Sequence, residues 1–87
     1  MQLNITIEIT DKGKYFVARC PELDFVSQGK TAEEAKKNLS EVIAIQFEEM
    51  TEAGTVEEYL AECGFARKEN SFVLPYRKME TMLFEVA

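Results

Sequence analysis

The side chains that most often carry enzyme chemistry are sparse in this sequence of 87 residues. It contains no histidine, the side chain that usually serves as the general base for a serine or cysteine nucleophile. Ser27 and Ser40 therefore have no evident activating neighbour in the sequence. A site built from Cys20 and Glu22 stays open as an alternative, although no other residue supports it.

Metal and cofactor chemistry also finds few suitable groups. Two-metal catalysis needs carboxylates that hold two divalent ions about 3.5–4 Å apart. Glu8 falls on the polar side of an alternating segment, and Glu41 and Glu48 fall outside the apolar stripe of a predicted helix, so we expect all three to face water. The glycines are isolated and form no phosphate-binding loop. We therefore expect no catalysis, no metal and no cofactor.

The two cysteines do not change this expectation. Cys20 and Cys63 lie far apart in the sequence and form no C-x-x-C pair. Two thiols with carboxylates are a poor ligand set for zinc, and a disulfide is disfavoured in a reducing cytosol. We expect both cysteines to act as small buried hydrophobic residues.

Charge and length limit the class of protein further. Acidic residues outnumber basic ones 16 to 10, which gives a net charge of −6 and opposes nucleic-acid binding, because such binding needs Lys and Arg against phosphates. An acidic surface suits a basic partner, or is simply a well-solvated surface. The length predicts one domain, residues 1–87. No signal peptide or membrane-length apolar run is evident, so we expect a soluble cytoplasmic protein.

The first third of the chain has the pattern of a three-stranded antiparallel meander. Residues 3 to 10 alternate between apolar and polar side chains, which predicts a strand with one wet face. A turn at residues 11–14 leads into a second strand from Tyr15 to Cys20, which Pro21 ends because proline cannot donate to a ladder. A short third strand, Phe25 to Gln28, ends at Gly29.

Two helices and a last strand are predicted to follow, which makes the fold α+β. Thr31 and Glu34 form a capping box that opens a long amphipathic helix ending at Gly54. A second capping box, residues 55–58, opens a helix of about two turns that stops at Gly64. Residues 81–86 alternate again, which predicts a C-terminal strand.

The segment from Tyr15 to Asn38 resembles the core of the HicB family. The resemblance rests on an ordered set of short motifs: Pro21-Glu22-Leu23 at the end of a strand, Ser27-Gln28-Gly29-Lys30-Thr31, the helix start Ala32-Glu33-Glu34-Ala35, and Asn38. It implies a truncated ribonuclease-H-like fold, in which a meander is covered by the long helix. It also implies an antitoxin that binds a small basic HicA-type toxin ribonuclease and blocks its active site.

The sequence departs from the family pattern at two places. The family loop after Pro-Glu-Leu commonly reads Pro-Gly-Cys, whereas Asp24-Phe25 stands here with one residue fewer. Full-length members usually add a DNA-binding module, but residues 55–87 show no basic recognition helix. The chain therefore resembles a stand-alone HicB-type domain, and DNA binding is not expected.

Most of the motif residues have structural explanations. We expect a scaffold role for Pro21, Ser27, Gly29, Thr31, Glu34, Ala35 and Asn38, with Gly29 permitting a turn and Asn38 bonding the neighbouring loop backbone. We expect partner contacts from three residues of the loop after the second strand: Glu22, Asp24 and Phe25.

The sequence also allows two other functions and predicts an oligomeric state. A stand-alone module that binds another protein or a small ligand is the first alternative, and a degenerate nuclease is a distant second. A small meander leaves strand edges that need cover, so we also expect a homodimer or a higher even oligomer.

Overall fold

The computed structural model describes residues 2–74 and 78–87. Over these residues the protein is α+β, with two helices and two three-stranded sheets. The elements along the chain are β1 (Gln2–Leu3), β2 (Glu8–Asp11), β3 (Phe16–Cys20), β4 (Phe25–Gly29), α1 (Ala32–Ala53), α2 (Val56–Glu62), β5 (Ala66–Lys68) and β6 (Ser71–Val73).

The predicted antiparallel meander is confirmed as the sheet β2-β3-β4. Its first hairpin turns at Gly13, which has a φ of 93° and donates its N–H to the Asp11 carboxylate at 2.8 Å. In the register of the sheet, Ala18 of β3 lies opposite Ile9 on one side and Ser27 on the other. Residues directly opposite one another share a face, and the complete burial of Ala18 identifies this face as the inner one.

The long helix α1 begins and ends where its capping residues predict. The Thr31 hydroxyl accepts the Glu34 N–H at 3.0 Å, and the Glu34 carboxylate accepts the Lys30 N–H at 3.4 Å. Gly54 ends the helix in the left-handed conformation, with a φ of 72°. α1 packs across β3 and β4, and this contact forms the centre of the core. The fully or nearly fully buried residues are Ala18, Cys20, Leu23, Ala35, Leu39, Leu60, Phe65 and Phe72.

The second helix lacks the capping box that its sequence predicts. Thr55 stands at the N-terminal cap of α2, but its side chain makes no capping hydrogen bond, and its backbone (φ −112°, ψ 8°) is not the extended one that Thr31 adopts. Gly54 ends α1 immediately before Thr55, and this abrupt connection leaves the cap without the usual geometry. The end of α2 is as predicted, with Gly64 at a φ of 93° just after it.

The prediction of one strand over residues 3 to 10 is wrong. The segment divides into β1 and β2, and residues 4–7 between them belong to neither strand. The Thr6 N–H donates to the Glu22 carboxylate at 2.9 Å rather than to a neighbouring strand, which interrupts the ladder. β1 instead pairs in parallel with β6, which forms a hairpin with β5, so the second sheet has the order β1-β6-β5.

The predicted C-terminal strand is also wrong. Residues 78–87 form no helix or strand, although residues 81–86 alternate as a strand would. Their apolar side chains are highly exposed: Met82 at 75%, Leu83 at 100%, Phe84 at 72% and Val86 at 91%. Alternation gives a segment the capacity to pair, but a strand also needs a free edge beside it, and none of the strands in the described residues pairs with this segment.

Neither of the two described helices has the length and apolar character that crossing a membrane requires.

Candidate functional site

The loop between β3 and β4, residues 21–24, is the place where the sequence predicts partner contacts. It is a tight turn in which the Asp24 N–H donates to the Cys20 carbonyl at 2.8 Å. Asp24 has a φ of 59°, a left-handed conformation that Asp tolerates better than most residues. Its side chain is 90% exposed and lies 3.7 Å from the guanidinium of Arg19. Of the three predicted contact residues, Asp24 is the one whose charge faces solvent.

Glu22 points inward and has a structural role. Its carboxylate accepts hydrogen bonds from the Thr6 hydroxyl at 2.6 Å and from the Thr6 N–H at 2.9 Å. The thiol of Cys20 lies 3.6 Å from the same carboxylate. Glu22 thereby attaches the segment between β1 and β2 to the meander. Sequence reasoning missed this contact because Thr6 and Glu22 meet only through the tertiary fold.

Phe25 is half-buried and stacks on an aromatic ring of α2. The centroid of its ring lies 6.2 Å from that of the Tyr59 ring, and the two planes make an angle of 14°. The Tyr59 ring also contacts Phe47 of α1 edge-on, with 6.4 Å between the centroids. These distances are within the range of favourable aromatic pairs. Phe25 therefore joins the loop to both helices, and only part of its surface remains for a partner.

Tyr59 is the residue of this site that the sequence analysis did not single out. Its hydroxyl donates to the carbonyl of the buried Leu23 at 2.7 Å, which fastens the loop to α2. Burial first, then Cys63 and the charge of Asp24, raise the pKa of Tyr59 to about 12. The available signal was a tyrosine within an apolar helical stripe, because a buried Tyr hydroxyl usually has a partner.

Cys20 is fully buried beneath the loop. Burial is the main cause that raises the pKa of its thiol, and the neighbouring Glu22 carboxylate raises it further. A thiol in this state is a poor nucleophile, because the thiolate is the reactive form. Both cysteines are free, with Cys63 half-buried. The pair of Cys20 and Glu22 that the sequence left open as a site is thus a buried contact.

Three of the predicted scaffold residues hold α1 against β4. The Asn38 side chain donates to the Gln28 carbonyl at 2.9 Å, so it bonds β4 itself rather than the loop backbone that the sequence predicted. Ala35 is completely buried, which allows the close approach of helix and sheet. Gly29 was expected to permit a turn, but its role is different: a Cβ there would lie 2.6 Å from the Ala35 nitrogen and 2.8 Å from the Glu34 carbonyl carbon.

The remaining scaffold residues lie at the boundaries of the same elements. Pro21 directly follows the end of β3, and Ser27 is half-buried opposite Ala18 on the inner face of the meander. Thr31 and Glu34 cap α1. The motif residues of the resemblance therefore lie at the two ends of the β3–β4 hairpin and at the start of α1.

The two helices carry exposed acidic residues. Between Asn38 and Ala66 the chain has no lysine or arginine and seven glutamates, all of them exposed. They are Glu41, Glu48, Glu49, Glu52, Glu57, Glu58 and Glu62, and we call them together with Asp24 the acidic surface. Glu57 is paired with Arg67 at 2.6 Å. α2 reaches the loop through the hydrogen bond from the Tyr59 hydroxyl to the Leu23 carbonyl.

The acids considered for metal binding do not converge. Glu8 lies on the outer face of the meander, where its carboxylate is 3.9 Å from the Arg19 guanidinium. Glu41 and Glu48 are exposed on α1. Within residues 2–74 and 78–87, no group of three or more His, Cys, Asp or Glu side chains is arranged to hold a metal ion.

Comparison of the chain with models of protein families, with curated proteins and with solved structures finds no match. The resemblance to the HicB family therefore depends on the residues and motifs quoted above.

Proposed function

We propose that this protein is a HicB-like antitoxin domain that neutralises a small basic toxin ribonuclease of the HicA type by covering its active site. The observation that carries the proposal is the acidic surface: seven exposed glutamates of the two helices come from a stretch without a lysine or arginine between Asn38 and Ala66, and Asp24 is exposed in the loop. Such a surface attracts a basic protein and repels nucleic acid. The proposal also depends on the HicB-like motif set.

The same proposal covers the fold, the location and the mode of action that the HicB resemblance implies. The meander with α1 across it is a truncated ribonuclease-H-like arrangement, and the protein acts in the cytoplasm, where its toxin would cleave RNA. It acts by binding, without a cofactor and without catalysis of its own. Within the loop, Asp24 makes the direct contact, while Glu22 and Phe25 hold the loop in shape through Thr6 and Tyr59.

The test uses the small basic, histidine-containing protein that an open reading frame beside this one would encode. We expect the two purified proteins to form a complex and the toxin's cleavage of RNA to stop at a one-to-one ratio. The triple variant Asp24→Asn/Glu58→Gln/Glu62→Gln should weaken binding about tenfold or more, mainly through slower association at low salt. Asn at position 24 keeps the tolerance for a left-handed backbone.

The matched control removes the same number of charges elsewhere. Glu33→Gln/Glu80→Gln/Glu85→Gln changes acids outside the acidic surface and should bind the toxin nearly as the unchanged protein does. If both triple variants weakened toxin binding equally, the net charge of the protein and not the acidic surface would explain the effect. Undiminished RNA cleavage by the toxin with the complex formed would refute the proposal. Cleavage of RNA by this chain alone with a divalent metal would refute it as well and would favour the degenerate nuclease.

A further inference from the structure

The C-terminal segment, residues 78–87, presents apolar side chains that the rest of the chain leaves uncovered. Met79, Met82, Leu83, Phe84 and Val86 are each between 72% and 100% exposed. An exposed apolar residue is ordinary by itself, but a contiguous group of this size marks an interaction surface. We call residues 78–87 the tail.

The same chain has an open apolar groove. It has a volume of about 380 Å³ and lies between the start of the chain, the second half of α1, and α2. Its walls are Leu3, Ile5, Ile43, Phe47, Thr51 and Leu60. Beside it runs β1, whose one neighbour among the described strands is β6, so the other edge of β1 is open.

We infer that the tail of one copy of this chain docks in the groove of a second copy, and that two copies exchange tails to form a symmetric dimer. A single chain leaves both its tail and its groove open, and a twofold exchange covers both at once. The alternation of residues 81–86 suits an extended segment added beside β1, with every second side chain turned into the groove. This inference does not depend on the toxin.

The exposed surface of the chain is larger than that of a compact monomer of the same mass. A compact monomer of 10.0 kDa exposes roughly 5,200 Å², whereas this chain exposes 6916 Å². The excess of about 1,700 Å² in each copy matches the 2,000–5,000 Å² that an obligate homodimer buries in total. The radius of gyration is likewise large, at 15.2 Å against about 12 Å for a compact chain of this length.

The length of the tail also permits the exchange. Ten residues in an extended conformation span roughly 33 Å, against dimensions of 43, 30 and 21 Å for the whole chain with its tail included. A tail of this length can cross a twofold contact and still lay its apolar residues along the groove of the other copy.

The first test measures the mass of the full chain in solution by light scattering at micromolar concentration. We expect a dimer, twice 10.0 kDa. Phe84→Asp in the tail and Thr51→Arg at the groove should each weaken the dimer about 100-fold or more and leave a folded monomer, because Phe84 and Thr51 are both exposed. Circular dichroism checks that each variant keeps its helices.

The control is Ile45→Asp, which introduces the same negative charge as Phe84→Asp. Ile45 is an apolar side chain of α1 that is 55% exposed and lies outside the groove. It should remain dimeric. A monomeric unchanged protein, or a dimer that Phe84→Asp and Thr51→Arg leave intact, would overturn the inference.

The second test identifies which copy receives the tail. Chains with Thr51→Cys are mixed with chains with Phe84→Cys, both in a Cys63→Ser background in which the other cysteine, Cys20, is buried. Mild oxidation should join one chain of each kind, as mass spectrometry of the product would show. A chain carrying both changes that oxidises only within itself would mean that the tail docks on its own groove, and the inference would be wrong.

Discussion

The two halves of α1 differ in how completely the rest of the protein covers them. In the first half, Ala35 and Leu39 are completely buried, and Asn38 is bonded to the backbone of β4. In the second half, Ile43 and Phe47 lie on the same apolar stripe but are only half-buried, since they form a wall of the groove. One stripe therefore has two environments: its first half closes the core, and its second half lines the groove.

The difference arises from where the meander ends. β3 and β4 cover the first half of the helix, with Gly29 against its backbone. The second half faces residues 3–5 and α2, which are too short to cover it fully. The apolar stripe of α1 thus changes from fully buried to half-buried at about the middle of the helix.

The largest expected difference between the halves comes from removing one large side chain from each. Leu39→Ala should lower the free energy of unfolding by about 3–5 kcal/mol, because it leaves a cavity in a fully buried site. Ile43→Ala should cost about half as much in dilute protein, because Ile43 is partly exposed. Urea unfolding measures both, with the exposed Ile45→Ala as a control expected near zero. Equal losses at positions 39 and 43 would contradict the comparison.

Gly29→Ala probes the tight contact at the first half of the helix. Its new Cβ would lie within 3 Å of two backbone atoms of α1, so helix and strand must separate. We expect a loss of about 1–3 kcal/mol, measured by urea unfolding. Gln28→Ala, at an exposed neighbouring position of β4 that keeps its backbone carbonyl, should change stability little. If Gly29→Ala were as stable as the unchanged protein, the close packing would not limit this position.

The smallest expected effect concerns Tyr59, which packs on Phe47 in the second half. Tyr59→Phe removes the bond to Leu23 and should cost about 1 kcal/mol at neutral pH. The folded protein keeps the Tyr59 proton up to a pKa of about 12, above the ordinary value of 10.0. The free energy of unfolding should therefore fall as the pH rises from 10.0 towards 12.

Tyr59→Phe should flatten this alkaline decline, as measured by urea unfolding across the pH range. Tyr15→Phe, at a side chain that is 42% exposed, serves as the control and should leave the decline unchanged. A decline that persists fully in Tyr59→Phe would assign it to another group, of which the buried Cys20 thiol is the first to consider.

The sequence predicts the parts of this fold whose signals are local. The bounds of α1 follow from Thr31 and Gly54, and the meander follows from alternation and from Pro21. The sheet β1-β6-β5 was not predicted, because strands of two and three residues carry little pattern and β1 pairs with a distant segment. The alternating tail was predicted as a strand because alternation does not show whether an edge lies nearby.

The candidate site was predicted in the same uneven way. A bond from Asn38 to the neighbouring loop backbone was expected, because a short amide near a helix start can reach an adjacent backbone, and the bond that forms goes to β4 instead. The inward direction of Glu22 and the stacking of Phe25 could not be expected, since both depend on residues far away in the chain, Thr6 and Tyr59. Of the three predicted contacts, only the exposure of Asp24 could be judged from its position in a turn.

The parallel pairing of β1 with β6 joins the two ends of the domain body, Leu3 to Phe72. Bringing β1 to β6 closes a loop that contains almost the whole domain, which costs more chain entropy than forming the meander and the helix from neighbouring residues. Contacts between such distant residues also form more slowly. This small sheet should therefore assemble last and open first, so its amide hydrogens should exchange with solvent ahead of those of β3. Because Leu3 is also a wall of the groove, each such opening would release a docked tail.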